Sequence, residues 1–272
     1  MAAPIAVSTK LTSAAFSGRD SFEAFRETYG RAVMQLEIEP HPDHAFELDF
    51  SITAIPDFSV ASGRLSPALN RHTPKLADND DIVLIFTPRG RGAIEQFGRR
   101  ADLRDGEATF LSNGITALLH GYEPSLLTTF RFKRQLLGPF RNGIEAALVK
   151  TITRDNAALR MLTQYATLID DLRSLATPEL SLLVSGHMHA LARILLRSYD
   201  APIEGAGRRA MRAAKLKALQ NDIEANIGSA TLTVDALAAR HGISPRAIRR
   251  LFQEADTTFA DYVLERRLIR SH

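Results

Sequence analysis

The stretch VDALAARHGISPRAIRRLFQ, residues 234–253, decides how the C-terminal part of the chain folds. Its apolar spacing predicts two short helices. Their inward positions are Leu237, Ala238 and His241, then Ile248, Leu251 and Phe252. Gly242 can adopt a positive φ and end the first helix, Ser244 can cap the second, and Pro245 suits its first turn. The stretch therefore predicts a helix, a tight turn and a second helix packed across it.

The second predicted helix has a basic outer face. Its exposed positions are Arg246, Arg249, Arg250 and Gln253, and the capping residue Ser244 lies beside them. Arginine and glutamine can form paired hydrogen bonds to guanine and adenine edges, and arginine also neutralises phosphate. Solvated arginines on a helical corner would look similar, but the glycine, the cap, the core spacing and the basic face together favour a helix-turn-helix that binds duplex DNA. These five residues are the candidate DNA contacts.

The residues that follow extend the pattern. SPRAIRRLF followed by TTFADYVLERRL resembles the AraC/XylS family of bacterial transcription regulators. The matching residues are Ser244, Arg250, Leu251, Phe252, Phe259, Tyr262, Val263, Arg267 and Leu268. In that family the DNA-binding unit holds two helix-turn-helix motifs joined by a long helix. Here the resemblance covers the first motif and a joining helix that begins near Phe259, and the sequence stops at His272 without the second motif.

Composition sets the broad class of the protein. Its 272 residues allow two domains of ordinary size. The net charge is +3, but residues 201–272 hold 12 Lys and Arg against 8 Asp and Glu, so this end is basic and the remainder nearly neutral. The absence of cysteine excludes disulfides and thiolate metal sites. Residues 1–10 lack an export signal and the apolar runs are short, which predicts a soluble, cytoplasmic protein without a membrane partner.

Between residues 46 and 132 the apolar pattern has a period of two, which is typical of strands. The apolar runs are 46–52, 58–61, 82–86, 93–97, 108–111, 115–119 and 126–132. Asp105-Gly106 and Asn113-Gly114 predict hairpin turns, because both residues of each pair tolerate a positive φ. We expect an antiparallel β-barrel or double sheet.

A helical region is predicted from 135 to about 198. Its second helix carries an apolar stripe formed by Leu182, Leu183, His187, Ala190, Leu191, Ile194 and Leu195. Such a stripe can cover the barrel or meet another subunit, and both alternatives stay open. Residues 200–207, with Pro and Gly, predict a linker. The helix after it carries candidate phosphate contacts, otherwise solvated charges, at Arg208, Arg209, Arg212 and Lys215.

This order of elements also resembles the AraC/XylS architecture, in which a cupin-like sensory domain precedes the DNA-binding unit. The segments SFEAFRETYG, DIVLIFTPRGRG and ATFLS look like the larger sensory-domain variant of that family. The resemblance implies an α+β chain. Its expected parts are a flexible arm (1–20), a cupin-like antiparallel β-barrel (21–134), a helical dimerisation region (135–199), a linker (200–207) and an all-α helix-turn-helix domain with its first motif only (208–272).

The sequence does not favour an enzyme or a metal site. Cupin enzymes typically present a His-x-His pair, a Glu and a distant His, whereas residues 46–132 contain only His72 and His120. His187 and His189 lie in helical sequence, where positions two apart do not face one another. A nucleophile elbow and a phosphate-binding glycine loop are both missing from the sequence. We therefore predict no catalytic residue, no metal and no cofactor.

The resemblance implies a small-molecule effector. Barrel residues that are candidates for binding it are Arg64, His72, Phe86, His120 and Arg131. An arginine inside an apolar barrel would suit a carboxylate, although each of these residues can equally point outward or stabilise the fold.

Two functions are compatible with these features. The first is a DNA-binding transcriptional regulator whose partners are duplex DNA, the effector, a second copy of the chain and, as a further candidate, RNA polymerase. The second is a truncated ligand-binding dimerisation module that does not bind DNA productively and interferes with full-length relatives through mixed dimers. Salt-dependent DNA retention by residues 201–272 would favour the first.

Overall fold

Two antiparallel β-sheets form the N-terminal body of the chain. The computed structural model describes residues 6–16, 21–73, 76, 79–140, 144–171, 177–199, 205–229, 231–241 and 245–271. The strands are β1 (Val7–Thr12), β2 (Glu37–Pro40), β3 (Leu48–Ile55), β4 (Phe58–Leu65), β5 (Ala68–His72), β6 (Ile82–Arg89), β7 (Gly92–Gln96), β8 (Arg99–Leu103), β9 (Glu107–Ser112), β10 (Ala117–Gly121) and β11 (Ser125–Phe132). The six-stranded sheet has the order β1-β3-β4-β11-β6-β9, and the five-stranded sheet has the order β2-β5-β10-β7-β8. The predicted antiparallel double sheet is therefore confirmed.

Several turns connect the two sheets instead of closing hairpins. The strands on either side of Asp105-Gly106, β8 and β9, belong to different sheets, and so do β9 and β10 on either side of Asn113-Gly114. Both hairpin predictions are therefore wrong. True hairpins lie at Pro56-Asp57 and Phe97-Gly98, where the flanking strands pair with each other. Turn-forming residues mark where the chain reverses, but they do not determine which strand it then pairs with.

The predicted flexible arm over residues 1–20 contains an ordered strand. β1 pairs with β3 from Val7↔Ala54 to Thr12↔Asp49, and Leu11 is fully buried. A strand at the edge of a sheet that buries little besides one leucine leaves no apolar period in the sequence, which explains the error. Residues 1–5 and 17–20 of the predicted arm lie outside the described residues.

A helix begins at Ser21 and extends to Met34. α1 (Ser21–Phe25) continues as a π-helix, Arg26–Met34, and Gln35 ends it with a φ of 57°. Phe25 packs edge-on against Phe16 at 5.7 Å between ring centroids. The aromatic cluster packs against residues of both sheets, and Gln35 lines the interior between them.

The central strands of the six-stranded sheet bury side chains on both of its faces. One face looks into the barrel, and the other carries large apolar side chains that pack against two helices, α2 (Ala157–Asp171) and α3 (Pro178–Ser198). The residues on this outer face include Phe58, Val60, Ile82, Leu84, Phe130 and Phe132. Because side chains alternate along a strand, the odd-numbered and even-numbered residues of each strand point to opposite faces of the sheet.

α3 covers the sheet with a face that overlaps only partly with its apolar stripe. Thr177 caps it, accepting a hydrogen bond from Leu180 N at 3.2 Å. The buried residues are Ser181, Val184, Ser185, Met188, His189, Ala192, Leu195 and Leu196. Leu182, Leu183 and Ile194 of the predicted stripe are more than half exposed. The buried face contains two serines and a histidine, so apolar spacing in the sequence does not identify it.

The remainder of the predicted helical region is largely irregular. Residues 134–156 contain two short 3₁₀ turns, Arg134–Leu137 and Ile144–Ala146, and a bridge between Ile152 and Ala108. This segment lies over the sheet, and Leu148 and Ile152 belong to the core shared with α2 and α3. Its buried residues are contiguous, as in a strap along the sheet, and do not follow a helical period.

Four helices form the C-terminal unit. They are α4 (Gly205–Ala225), α5 (Val234–His241), α6 (Pro245–Gln253) and α7 (Phe259–Ser271). Their shared core contains Leu219, Ile223, Leu237, Ala238, Ile248, Leu251, Phe252 and Tyr262. Thr233 caps α5, accepting a hydrogen bond from Ala236 N at 3.1 Å.

Parts of two predictions about this unit fall outside the described residues. Gly242 and Ser244 lie there, as do residues 200–204 of the predicted linker. Residues 205–207 of that linker are already helical, because α4 begins at Gly205. No helix in the described part of the chain combines the length and apolar character needed to span a bilayer.

Candidate functional site

A cavity of about 350 Å³ lies between the two sheets. The inward residues of the strands line it, and most of them are apolar. They include Phe50, Ile52, Ala61, Ile85, Ile94, Leu119 and Leu127. A largely apolar pocket of this size with a few inward polar groups is the usual form of a small-molecule site.

The side chain of Asn70 presents an unpaired polar atom in the cavity wall. Asn70 is 5% exposed, lines the cavity from β5, and its amide oxygen accepts no hydrogen bond in the described structure. Its neighbour across the sheet is Leu119, which in turn faces Ile94. The amide thus lies in an apolar row, where an unpaired polar atom costs free energy.

At one end of the cavity a set of polar residues connects three segments. His72 lies between two backbone carbonyl oxygens, with Nδ1 2.8 Å from that of Gln35 and Nε2 2.6 Å from that of Asn113. Carbonyl oxygens only accept, so a neutral ring can donate to one of them and a protonated ring to both. The Asn113 side chain donates to Gln35 Oε1 at 3.1 Å and to Asn79 Oδ1 at 3.2 Å. His72, Gln35 and Asn113 all line the cavity.

The predicted effector residues are only partly brought together. His72 and Arg131 line the cavity, whereas Arg64 and Phe86 do not. Phe86 lies on the outer face and packs against the core shared with α2 and α3, and Arg64 is exposed. Both lie at even-numbered positions, and in these two strands the even-numbered residues point away from the cavity because side chains alternate along a strand.

The two remaining candidates lie next to carboxylates. His120 borders the cavity from the face of β10 opposite to Leu119, and its buried Nε2 lies 3.5 Å from Glu95 Oε1 without forming a hydrogen bond in the described structure. Arg131 donates to Asp81 Oδ2 at 2.8 Å, and Asp81 also pairs with Lys133 at 3.1 Å. Arg131 is therefore already paired with a carboxylate of the protein, which does not support its predicted role in binding the carboxylate of an effector.

The polar end of the cavity contacts the C-terminal unit. Asn113 precedes Gly114 in the turn between β9 and β10. A side-chain carbon built on Gly114 would lie 3.3 Å from the Arg240 carbonyl oxygen at the end of α5, and equally close to that of Asn79. Arg240 and His241 are in turn bound to Asp222 of α4 at 3.0 and 2.7 Å. Burial opposes ionisation of Asp222, but these two partners outweigh it and lower its pKa.

A buried ion cluster forms a second contact between the two units. Glu145, 4% exposed, lies in the segment over the sheet and pairs with Arg134 at 2.5 Å and with Lys215 of α4 at 3.2 Å. Burial alone would raise the pKa of Glu145, but the charges of Lys215 and Arg134 lower it to about 2. Lys215, a predicted phosphate contact, is thus held by a carboxylate in this arrangement.

The outer face of α6 has the predicted exposed residues. Ile248, Leu251 and Phe252 are buried, whereas Arg246, Arg249, Arg250 and Gln253 are exposed. Within the described ranges Arg246 and Arg249 make no ion pair. Arg250 lies 3.7 Å from Glu254, which also pairs with Arg212 at 3.1 Å.

The other predicted DNA contacts have different outcomes. Arg212 is exposed but shares Glu254 with Arg250. The side chains of Arg208 and Arg209 lie outside the described residues, as does Ser244. Among the residues that the structure describes, no group of three His, Cys, Asp or Glu could hold a metal ion.

The residues that sequence reasoning misses are polar ones inside the barrel and between the units. Asn70 escapes notice because the alternation of ALNRH places asparagine and histidine at inward positions, so β5 does not stand out as a strand. Glu145 and Lys215 are 70 residues apart, and only the folded chain brings them together. The sequence feature that could have indicated a buried ion pair is the single acidic residue within the apolar segment 144–149.

Comparison with known proteins identifies a family for the N-terminal part of the chain. The family model of AraC-binding-like domains matches residues 25–197. No curated protein matches the sequence. The crystal structure of the AraC-like transcriptional activator CuxR is 14% identical, with a TM-score of 0.60, and the alignment covers 98% of this chain and 95% of that one. At this identity the likeness concerns the fold.

Other solved structures match only part of the chain. One is KdgF from Halomonas sp., which is 18% identical over 34% of this chain and 88% of its own, with a TM-score of 0.28. The family match covers the strands β2 to β11, the helix α2 and nearly all of α3, and it supports a regulatory sensing module rather than an enzyme. Through residues 25–197 this chain belongs to the family of AraC-binding-like domains.

Proposed function

We propose that the chain is a transcriptional regulator that senses a small molecule in its barrel cavity and binds duplex DNA through the outer face of α6. The observation that carries the proposal is the exposed, basic face formed by Arg246, Arg249, Arg250 and Gln253 on a chain whose N-terminal part belongs to a sensory family. Arginine and glutamine on one helical face have the hydrogen-bonding geometry to recognise base edges. The similarity of fold to an AraC-like activator over most of the chain is consistent with this arrangement.

The route between the two sites is short. A ligand at the polar end of the cavity meets His72 and Asn113, and Asn113 is adjacent to the glycine that contacts the end of α5. Such a ligand changes the position of α5 and α6 only if it prefers one arrangement of this turn over another. The cluster around Glu145 holds α4 to the same body and so favours the docked arrangement.

We also propose that the protein acts as a dimer. One side of the α2–α3 pair exposes large apolar side chains, which are Met161, Leu182, Leu183 and Ile194. An exposed apolar patch next to a covered sheet is typical of a protein–protein interface. Two DNA-binding faces in one particle would raise the affinity for paired half-sites.

Substitution of Gly114 tests the contact between the cavity turn and α5. The β-branched side chain in Gly114→Val would crowd the carbonyl oxygens of Arg240 and Asn79. We expect the end of α5 to move a few ångströms away from the turn. The chain contains no cysteine, so spin labels on cysteines introduced at the exposed positions Thr116 and Ala239 would report this distance.

The matched control is Gly186→Val, because nothing lies within 4 Å of a side-chain carbon at Gly186. This control should leave the distance distribution narrow and unshifted. An unchanged distribution in Gly114→Val would show that the turn does not hold α5, and it would contradict the proposed route.

A further inference from the structure

The cavity wall is apolar except at a few defined places. Asn70, Leu119 and Ile94 form a row across three strands of the five-stranded sheet, so the amide of Asn70 is directly beside apolar lining residues. Its oxygen is buried and has no partner among the described residues. Gln96, by contrast, is a buried amide whose atoms bond to Ser112 and Ile115, which marks it as structural.

The charges around the cavity leave no place for an ion in its interior. The charged residues that line it, apart from histidine, are Arg91, Glu123 and Arg131. Arg131 is paired with Asp81, and Arg91 and Glu123 are exposed and opposite in sign. An anionic or cationic group would therefore lose its hydration in the cavity without gaining a counter-charge, which is unfavourable.

Building on the proposed sensory role, we propose that the cavity binds a neutral, mainly apolar molecule with a hydroxyl group or a comparable neutral hydrogen-bonding group directed at Asn70. A hydroxyl both donates and accepts, so it can pair with the amide oxygen of Asn70 or, if the amide is rotated by 180°, with its nitrogen. A carboxylate only accepts. The apolar remainder of the molecule lies against Ile94, Leu119 and Leu127.

The volume sets the size of the ligand. A cavity of 350 Å³ corresponds to about a dozen water molecules in volume. The cavity is therefore large enough for a small substituted phenol or a medium-chain alcohol. A nucleotide or a disaccharide has more polar groups than this largely apolar wall can satisfy.

The proposal is tested with three probes that share one skeleton. The full chain is titrated by calorimetry with 4-ethylphenol, ethylbenzene and 4-ethylbenzoate, which are hydroxylated, apolar and anionic. We expect 4-ethylphenol to bind at least tenfold more tightly than 4-ethylbenzoate. In Asn70→Leu, which keeps the volume and removes the amide, we expect about tenfold weaker binding of 4-ethylphenol and nearly unchanged binding of ethylbenzene.

Ala61→Phe is the control for the location of binding, because Ala61 lines the cavity and a phenyl ring there fills it. This variant should lose all three probes while it unfolds at a similar temperature to the parent. If 4-ethylbenzoate binds most tightly, or if Asn70→Leu leaves 4-ethylphenol unaffected, the proposed ligand class is overturned. As long as Ala61→Phe still abolishes binding in that case, the sensory role stands. If no probe binds, or if Ala61→Phe binds as well as the parent, the cavity is not a ligand site and both proposals fail.

Discussion

Replacing Arg249 with alanine is expected to weaken the binding of the chain to its preferred duplex by about 10- to 100-fold. Arg249 is exposed in the middle of α6, and it makes no ion pair within the described ranges, so its guanidinium is available to a base edge. A good contact of this kind contributes about 1–3 kcal/mol of discrimination. Electrophoretic retention of the duplex at fixed salt would measure the change.

Arg64→Ala is the matched control, because it removes the same charge from the exposed outer face of the barrel. Equal losses in the two variants would mean that only net charge matters and that α6 does not read sequence. A loss confined to Arg249→Ala, with little change on an unrelated duplex, would support direct recognition of bases.

The variant Glu145→Gln is expected to lower the free energy of unfolding by about 3 kcal/mol at neutral pH. It leaves Arg134 and Lys215 facing each other with the carboxylate charge removed. Lys215→Met provides the comparison, because it removes only the partner from α4 and keeps the pair between Glu145 and Arg134. Denaturant unfolding of each variant would measure the losses, and we expect the larger one for Glu145→Gln. Stabilities equal to that of the parent would contradict this account of the cluster.

The same carboxylate predicts a pH dependence. Its pKa falls from an ordinary 4.5 to about 2 in the folded protein, because the charges of Lys215 and Arg134 outweigh the effect of burial. The stabilisation is therefore complete above pH 4.5 and is lost as the pH falls from there towards 2. In Glu145→Gln this component disappears, so the stability of the variant should fall less steeply than that of the parent over this window. Parallel curves would mean that Glu145 does not titrate with a lowered pKa.

The sequence predicts the fold where burial follows a simple period. The alternation along β3, β6 and β11 identifies the double sheet, and the spacing from Leu237 to Phe252 identifies two packed helices. The period fails where polar residues are buried. On α3, Ser181, Ser185 and His189 occupy the covered face and leave several leucines exposed, so the apolar stripe does not mark the side that covers the sheet.

The candidate site depends on contacts that a local pattern does not contain. His72 is visible in the sequence, but its two carbonyl partners come from Gln35 and Asn113, 37 and 41 residues away. Alternation along β4 and β6 shows in retrospect why Arg64 and Phe86 point away from the cavity. The sequence alone does not show whether the odd or the even positions of a strand face the cavity, because that depends on which side of the sheet the helices cover.

The most direct test of the proposed function is selection of duplexes from a random pool by the full chain at fixed salt. We predict that a recurring motif is enriched, and that it occurs as two half-sites if the chain dimerises through α2 and α3. Enrichment should disappear when Arg246, Arg249 and Gln253 are replaced together by alanine. A pool that stays random, or a motif that the triple variant enriches equally well, would contradict the role of α6 as a DNA-reading helix.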